Sequence, residues 1–449
     1  MIALTDRMLS VEEARSAVLA AIVGSTPAEP ASLAEARGRI LAEDVISLTA
    51  LPPWDNSAMD GYAIRAADVA AATDGGPVRL AVIGEVRAGS APDAAVDRGT
   101  AIRIATGAPI PPGADAVVQV ELTTPAASDG SVAGERGRDA AGPVPAAILV
   151  HAPISAGTAI RRAGDDLPGG FSILAAGARL TAAAIGLAAG TGHDSLMVHA
   201  RPRIGVLATG DEIRAAGRAL GPAGIPDANG PGLVALVDEA GGEAHPLGIA
   251  ADRLEDVRAR LDEALSDGMD AIVVSGGVSV GPYDVVRTAF AEIGRIELWR
   301  VAVQPGKPFA FGVVDRPDGH RVLLFGLPGN PVSSFVTFEL FVRPAIRRLA
   351  GLPLARLVRP IDRAVLGDDV SKSPGRRAFL RVVAERDDTG SARRDDSGRV
   401  VVRLAGGGRG QGSHVLSALA IADGLAIVPE DIDRLDAGAA VDLWWLDRD

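Results

Sequence analysis

Between Asp270 and Asp284 the chain reads Asp-Ala-Ile-Val-Val-Ser-Gly-Gly-Val-Ser-Val-Gly-Pro-Tyr-Asp, a β-branched apolar run that breaks into glycines and ends on a carboxylate. Such a run suits a strand buried on both faces, and Gly276 and Gly277 then let backbone N–H groups approach an anion closely. Ser275 and Ser279 add hydroxyls, and Asp284 adds a hard oxygen donor. The segment therefore suits phosphate or oxyanion chemistry beside a divalent cation; a tight strand-to-helix turn without a ligand is the plainer alternative. A second turn, Leu327-Pro328-Gly329-Asn330-Pro331, abuts a helix expected from about Ser333, whose N-terminus would concentrate unpaired N–H groups. A third group is Lys307, in Gln304-Pro305-Gly306-Lys307-Pro308. Lys307 and Lys372 are the only lysines among 45 basic residues. A compact ammonium, kept where arginine is the default base, suggests a point-charge contact to an oxyanion.

Carboxylates gather near the same predicted strand ends: Asp211, Glu212, Asp227 and Asp284. Hard oxygen ligands on loops suit Mg²⁺, which keeps several waters and leans on substrate phosphates. Asp211 and Asp227 could equally cap a following helix. In the N-terminal half, Asp55-Asn56-Ser57-Ala58-Met59-Asp60-Gly61-Tyr62 packs hydrogen-bonding groups into a loop, which fits either ligand handling or turn formation. The six histidines, His151, His193, His199, His245, His320 and His414, show no metal-ligand spacing on a helix. A Gly-x-x-x-x-Gly-Lys-Ser/Thr loop is missing, which removes support for an ordinary NTPase.

The elements that must position these groups follow from the hydrophobic pattern. Residues 8–46 read as helical, from a Ser10–Glu13 capping-box pattern and apolar Val18, Leu19, Ile22 and Val23. Residues 77–121 are strand-like and punctuated by turns, while 123–146 read as an Ala/Gly/Ser/Asp-rich insertion with no packed core. From Leu180 onward helices and strands alternate: helix 180–189, strand 203–208, helix 230–240, strand 244–249, helix 252–266, strand 271–274, helix 284–293 and strand 322–325. This alternation predicts a doubly wound, largely parallel sheet, with ligands beyond the carboxyl ends of its strands. After about residue 355 strands return at 378–385, 400–404 and 424–428, with a polar hairpin loop at 387–399, predicting a small all-β domain.

Composition narrows the function classes. The chain has 449 residues, 47% of them hydrophobic, and a net charge of −12 with pI near 5.1, against a general nucleic-acid binder. It has no cysteine, so disulfides, thiolate metal sites and cysteine nucleophiles are excluded. Neither a secretory leader nor an apolar run of membrane-spanning length is seen, so the expectation is a soluble, cytoplasmic protein without a membrane partner.

Taken together these residues resemble the molybdopterin molybdenumtransferase family, the bacterial MoeA proteins and the E-domains of gephyrin-like eukaryotic proteins. The resemblance rests on Asp55–Ala63, Arg103–Pro109, Arg161–Asp166, Ala208–Glu212, Ser275–Gly281, Pro305–Pro308, Gly326–Ser333 and Gln411–His414, in that order along nearly the whole chain. It implies a multidomain α/β plus β fold. A discontinuous N-terminal domain would span residues 7–46 and 150–178, with a β-rich domain inserted at 47–149. A central molybdopterin-binding α/β domain would span 179–352, and a β-barrel-like domain 353–449. It also implies an elongated subunit, a head-to-head homodimer, and a pathway partner, the adenylyltransferase of the preceding step. The implied reaction converts adenylylated molybdopterin and molybdate to molybdenum cofactor and AMP, with Mg²⁺ assisting.

The same resemblance assigns residues. Asp284 and Asp227 match acidic positions for metal or substrate, with Asp211 and Glu212 as further metal candidates. Ser279, Lys307, Arg376 and Ser413 match positions that hold molybdate, and Ser275, Gly276, Gly277, Pro328 and Asn330 fall in the substrate-binding turns. Asp60 and Thr106 match loops that face the partner subunit, and Asp166 a further acidic active-site position. Two departures stand out. The family often has Lys-Pro-Gly-Lys-Pro where this chain begins with Gln304, so the seat loses one charge, and Ala184 stands where some members place an acid. Adenylylation of molybdopterin, a scaffolding role and a preference for tungstate are the alternatives to molybdate insertion. A Ser-Gly-Gly-Val-Ser turn, where the adenylyltransferases have a Gly-Gly-Thr-Gly form, weighs against the first.

Overall fold

The computed structural model describes residues 8–138, 142–277 and 285–447. Ser279 and Asp284 fall in 278–284 and so lie outside the described residues. Helix α1 (Val11–Ala20) forms as the capping box predicts: the Ser10 amide donates to Glu13 Oε2 at 2.8 Å, and the Glu13 amide to Ser10 Oγ at 3.0 Å. The helical reading of 8–46 does not extend further. Gly24, Pro27 and Pro30 interrupt it, and Ala28–Ser32 is a short strand instead.

The chain divides into two compact units. One consists of Asp44–Ala175 with Thr181–Leu196. Its six-stranded sheet contains β1 (Gly61–Ile64), β2 (Val78–Val86), β3 (Thr100–Ile104), β4 (Ala116–Gln119), β5 (Thr123–Ala126) and β6 (Ala147–Val150), in the order β4-β1-β3-β2-β6-β5. Strand β5 corrects the expectation of a coreless insertion from 123. Thr123 and Ala126 are buried because the ladder to β6 satisfies a backbone that the small side chains alone would not hold. In the same unit helix α2 (Ala182–Gly190) is capped by Thr181, whose Oγ1 accepts from the Ala184 amide at 3.2 Å.

The other unit takes the N-terminal stretch to Glu43, Ala176–Leu180 and everything from Met197. Its sheet has strands β7 (Arg203–Thr209), β8 (Glu243–Ala250), β9 (Ala271–Ser275), β10 (Arg295–Arg300), β11 (Pro308–Asp315) and β12 (Arg321–Leu327). Their order is β8-β7-β9-β12-β11-β10; the first four are parallel and the last two antiparallel. Strands β10 and β11 were not expected from the pattern, and they extend the predicted parallel sheet by an antiparallel hairpin. Helices lie on both faces. Alternate residues of β9 divide between two cores: Ala271 and Val273 join the one containing α1 and α3 (Asn229–Ala240), Ile272 and Val274 the one containing α4 (Leu254–Ser266) and α5 (Val285–Ile293). Burial on both sides is why this strand reads as an unbroken apolar run.

Beyond α6 (Pro331–Thr337) and α7 (Arg343–Leu349), five strands form a barrel: β13 (Asp362–Leu366), β14 (Arg377–Ala384), β15 (Val400–Leu404), β16 (Gly424–Val428) and β17 (Ala440–Trp445). Strand β14 pairs with both β15 and β16, which closes the ring through β13 and β17. Closure leaves no free sheet edge. Ala378, Leu380 and Val382 of β14 fill its interior.

Candidate functional site

Three strand ends meet at one edge of the parallel sheet, because register aligns Ala208 with Ser275 and Ser275 with Leu327. The turns that follow line a cavity of about 500 Å³, with walls from Thr209, Glu212, Asp227, Ser275–Gly277 and Pro328–Asn330. Glycine is required at its floor. Gly276 has φ +96°, and a Cβ there would lie 2.7 Å from the Thr209 carbonyl oxygen and 2.8 Å from its hydroxyl. Gly277, at φ +64°, would strike Val286. The Gly276 amide donates to the Leu327 carbonyl at 3.1 Å, tying the second turn to the third.

Two residues missed in the sequence belong to this cavity. Asn229 Nδ2 donates to Ser275 Oγ at 2.6 Å and to the Gly329 carbonyl at 2.7 Å, so one amide side chain bridges the second and third turns. Asp252, just after β8, also lines the cavity, and its amide donates to Asp211 Oδ1 at 3.1 Å. Burial, together with the facing charges of Asp211 and Glu212, pushes the Asp252 carboxyl above the usual carboxylate range. Asn229 reads in sequence as one more turn former after Asp227, and Asp252 as the start of a helix, so neither carries a local signal. Asp227 lines the cavity, and its Oδ1 accepts from the Gly230 amide at 2.8 Å in the first turn of α3.

The acids suit a hard cation. Glu212, Asp227 and Asp252 supply only oxygen donors, and burial, then the charges of Asp211 and Glu212, raises the Asp252 carboxyl, which a divalent ion would relieve. Among the described residues no three such side chains close into a cage.

Of the oxyanion candidates, Ser279 lies outside the described residues, while Lys307, Arg376 and Ser413 are placed by three separate contacts. Val303 and Gln304, which lead into the turn carrying Lys307, pair in parallel with Arg377 and Ala378 at the start of β14, directly after Arg376. Gly306 keeps this turn against α6, since a Cβ at its φ of +113° would lie 2.6 Å from the Thr337 methyl. Lys307 is exposed and Arg376 half-buried. The Ser413 carbonyl accepts from the Val332 amide at 3.1 Å, so Ser413 sits at the first turn of α6 next to Asn330. Gln304 Oε1 is buried without a hydrogen-bond partner among the described residues, so the residue that replaces the usual lysine is itself incompletely satisfied.

In the first unit the loop residues form their own cluster. The Thr106 amide and hydroxyl donate to Asp60 Oδ1 at 2.7 and 2.9 Å. Asp55 accepts from the Ala163 amide at 2.8 Å and pairs with Arg162 Nη1 at 2.6 Å, which binds the 55–62 loop to the 161–166 loop. The Ala163 amide, then Arg162, hold the Asp55 carboxyl below the usual range. Asp166 is exposed, with its amide donating to the Leu51 carbonyl at 3.0 Å.

Fold and site thus define an α/β protein with an acid-lined cavity at one edge of its parallel sheet and an appended closed barrel. Residues 9–192 match the MoeA N-terminal region (domain I and II), 205–348 a probable molybdopterin binding domain, and 363–446 the MoeA C-terminal region (domain IV). The chain is 37% identical over 418 residues to molybdopterin molybdenumtransferase 2 of Mycobacterium tuberculosis, covering 92% of this chain and 93% of that protein. It is 32% identical over 434 residues to the molybdopterin molybdenumtransferase of Haemophilus influenzae, covering 97% and 98%. The solved structure of a molybdopterin biosynthesis MoeA protein from Pyrococcus horikosii superposes with a TM-score of 0.75 at 32% identity, covering 98% of this chain and 99% of that one. The chain belongs to the molybdopterin molybdenumtransferase (MoeA) family, and is a transferase of molybdenum cofactor biosynthesis.

Proposed function

We propose that this enzyme inserts molybdenum by converting adenylylated molybdopterin and molybdate to molybdenum cofactor and AMP. The observation that carries the reading is the convergence of the Thr209, Ser275 and Leu327 turns on one acid-lined cavity beside the start of α6. The phosphate-bearing substrate lies along the Ser275–Gly277 and Pro328–Asn330 turns, where backbone amides and the Asn229 bridge fix its position. Lys307, Arg376 and Ser413, with Ser279, receive the tetrahedral oxyanion; a dianion is matched by cationic donors and hydroxyls together. Mg²⁺, held by Asp227 with Asp284, Glu212, Asp252 or Asp211, would neutralise phosphate charge. Acceleration then comes from positioning and charge neutralisation, with no covalent step on the protein.

The working enzyme is a cytoplasmic homodimer acting after an adenylyltransferase. In it the loops of Asp60, Thr106 and Asp166 serve the α/β domain of the second subunit. The test is AMP release from adenylylated molybdopterin with molybdate, with tungstate, and without Mg²⁺. Molybdate- and Mg²⁺-dependent release is expected; release indifferent to both, or adenylylation of molybdopterin from ATP instead, overturns the proposal.

A further inference from the structure

Arg381 in β14 is 1% exposed. Because Ala378, Leu380 and Val382 point into the barrel, Arg381 lies on the opposite face of its strand, with Phe379. Among the described residues no carboxylate pairs with it, and burial pushes the guanidinium down to about 10. Its two Nη groups go to backbone instead, while Nε is buried without a partner among the described residues. Nη2 donates to the Gly410 carbonyl at 2.8 Å and the Gly412 carbonyl at 3.2 Å, and Nη1 to the Phe379 carbonyl at 3.4 Å. A buried cation without a counter-charge is costly, so what it holds is informative. It grips the two carbonyls that flank Gln411, the second of them directly before Ser413.

Gln411 answers from the other side. Its Oε1 accepts from the Arg381 amide at 3.0 Å, and its Nε2 donates to the carbonyls of Arg381 at 3.0 Å and Ala405 at 3.3 Å. The side-chain amide acts as a missing strand partner for one residue of β14. The Ala405 amide donates to the same Arg381 carbonyl at 2.9 Å, so the whole 405–412 loop is stitched to one position of β14. Gly410 has no room for a side chain, since a Cβ would collide with the Ala405 carbonyl. The loop therefore has one way to lie, and it delivers Ser413 to the first turn of α6.

We propose that Arg381 and Gln411 are positioning residues for the oxyanion, holding the 405–412 loop so that Ser413 meets a tetrahedral dianion beside Lys307 and Arg376. This rests on the role of Ser413 given under Proposed function. Arg381→Lys keeps a charge but loses the planar fork that spans two carbonyls. In steady-state AMP release, Arg381→Lys and Gln411→Ala should each raise the molybdate KM roughly tenfold while leaving the KM for adenylylated molybdopterin unchanged. Ser413→Ala should raise the molybdate KM as well, and combining it with either change should add little, because the residues act through one another. Should Arg381→Lys not fold, Gln411→Ala alone decides. Wild-type molybdate KM in the positioning variants, equal rises in both KM values, or effects that add to Ser413→Ala overturn the positioning role. A Ser413→Ala enzyme with wild-type molybdate KM overturns the reading of Ser413 itself, and the positioning role with it.

Discussion

At the scale of single residues, the site depends on side chains that fix turns as much as on those that face ligand. Asn229 joins Ser275 to Gly329 through one amide. Asn229→Ala should lower kcat/KM for AMP release by roughly ten- to a hundredfold through lost positioning, with little change in melting temperature. Asp270, at the far end of β9, gives a pH-dependent contrast. Burial raises its carboxyl above the usual range, against the Arg203 amide at 2.7 Å and the charges of His320 and Arg203. A raised native value means that protonation favours the fold. The carboxyl's contribution is complete below its unfolded value of about 3.9 and is lost as pH rises through the native value. The melting temperature of Asp270→Asn, relative to the parent, should therefore shift in the variant's favour as pH rises across that window and level off above it. A difference that is flat with pH would remove the assigned cause.

At the scale of elements, a buried ion cluster joins the α/β sheet's helices to the barrel. Glu339, in the widened turn Phe338–Val342 between α6 and α7, accepts from Arg359 Nε at 2.7 Å and Nη2 at 3.1 Å. Arg359 Nη1 donates onward to the carbonyls of Trp445 at 3.2 Å and Leu446 at 2.9 Å, at the end of β17. Glu339→Ala strips the charge partner from guanidinium groups that stay buried. It should cost about 3–5 kcal/mol in urea unfolding. This clamp is invisible to a local reading, since Glu339 and Arg359 look like two ordinary surface charges on either side of α7. Elements whose patterns are local were legible: α1 through its capping box, and β7, β9 and β12 through their apolar runs. The antiparallel hairpin β10–β11 was not, because it joins the sheet only through the pairing of β11 with β12.

At the scale of the molecule, the proposed homodimer makes a test of its own. Asp60→Asn and Lys307→Met lie on loops proposed to serve different subunits' parts of a site, so each homodimer should be inactive. Random reassociation would give mixed dimers as half of the population, each with one intact site, and activity should return to roughly a quarter of the parent value. Assay of the reassociated mixture decides, and no recovery would place both loops in service of the same subunit. For membranes, the described residues contain no helix long and apolar enough to cross one.

Sequence alone determined the α/β-plus-β class, the three glycine- and proline-marked turns, the acidic character of the site and the family, because each is carried by short contiguous segments. Only tertiary structure decided that the turns share one edge, since register between distant strands sets Ala208, Ser275 and Leu327 side by side. It likewise decided that Asn229 and Asp252 belong to the cavity. The same holds for Arg381, an arginine in a β-strand whose importance lies in carbonyls some 30 residues away along the chain. Such roles are made by contacts between segments with no local pattern, so no window of sequence contains them.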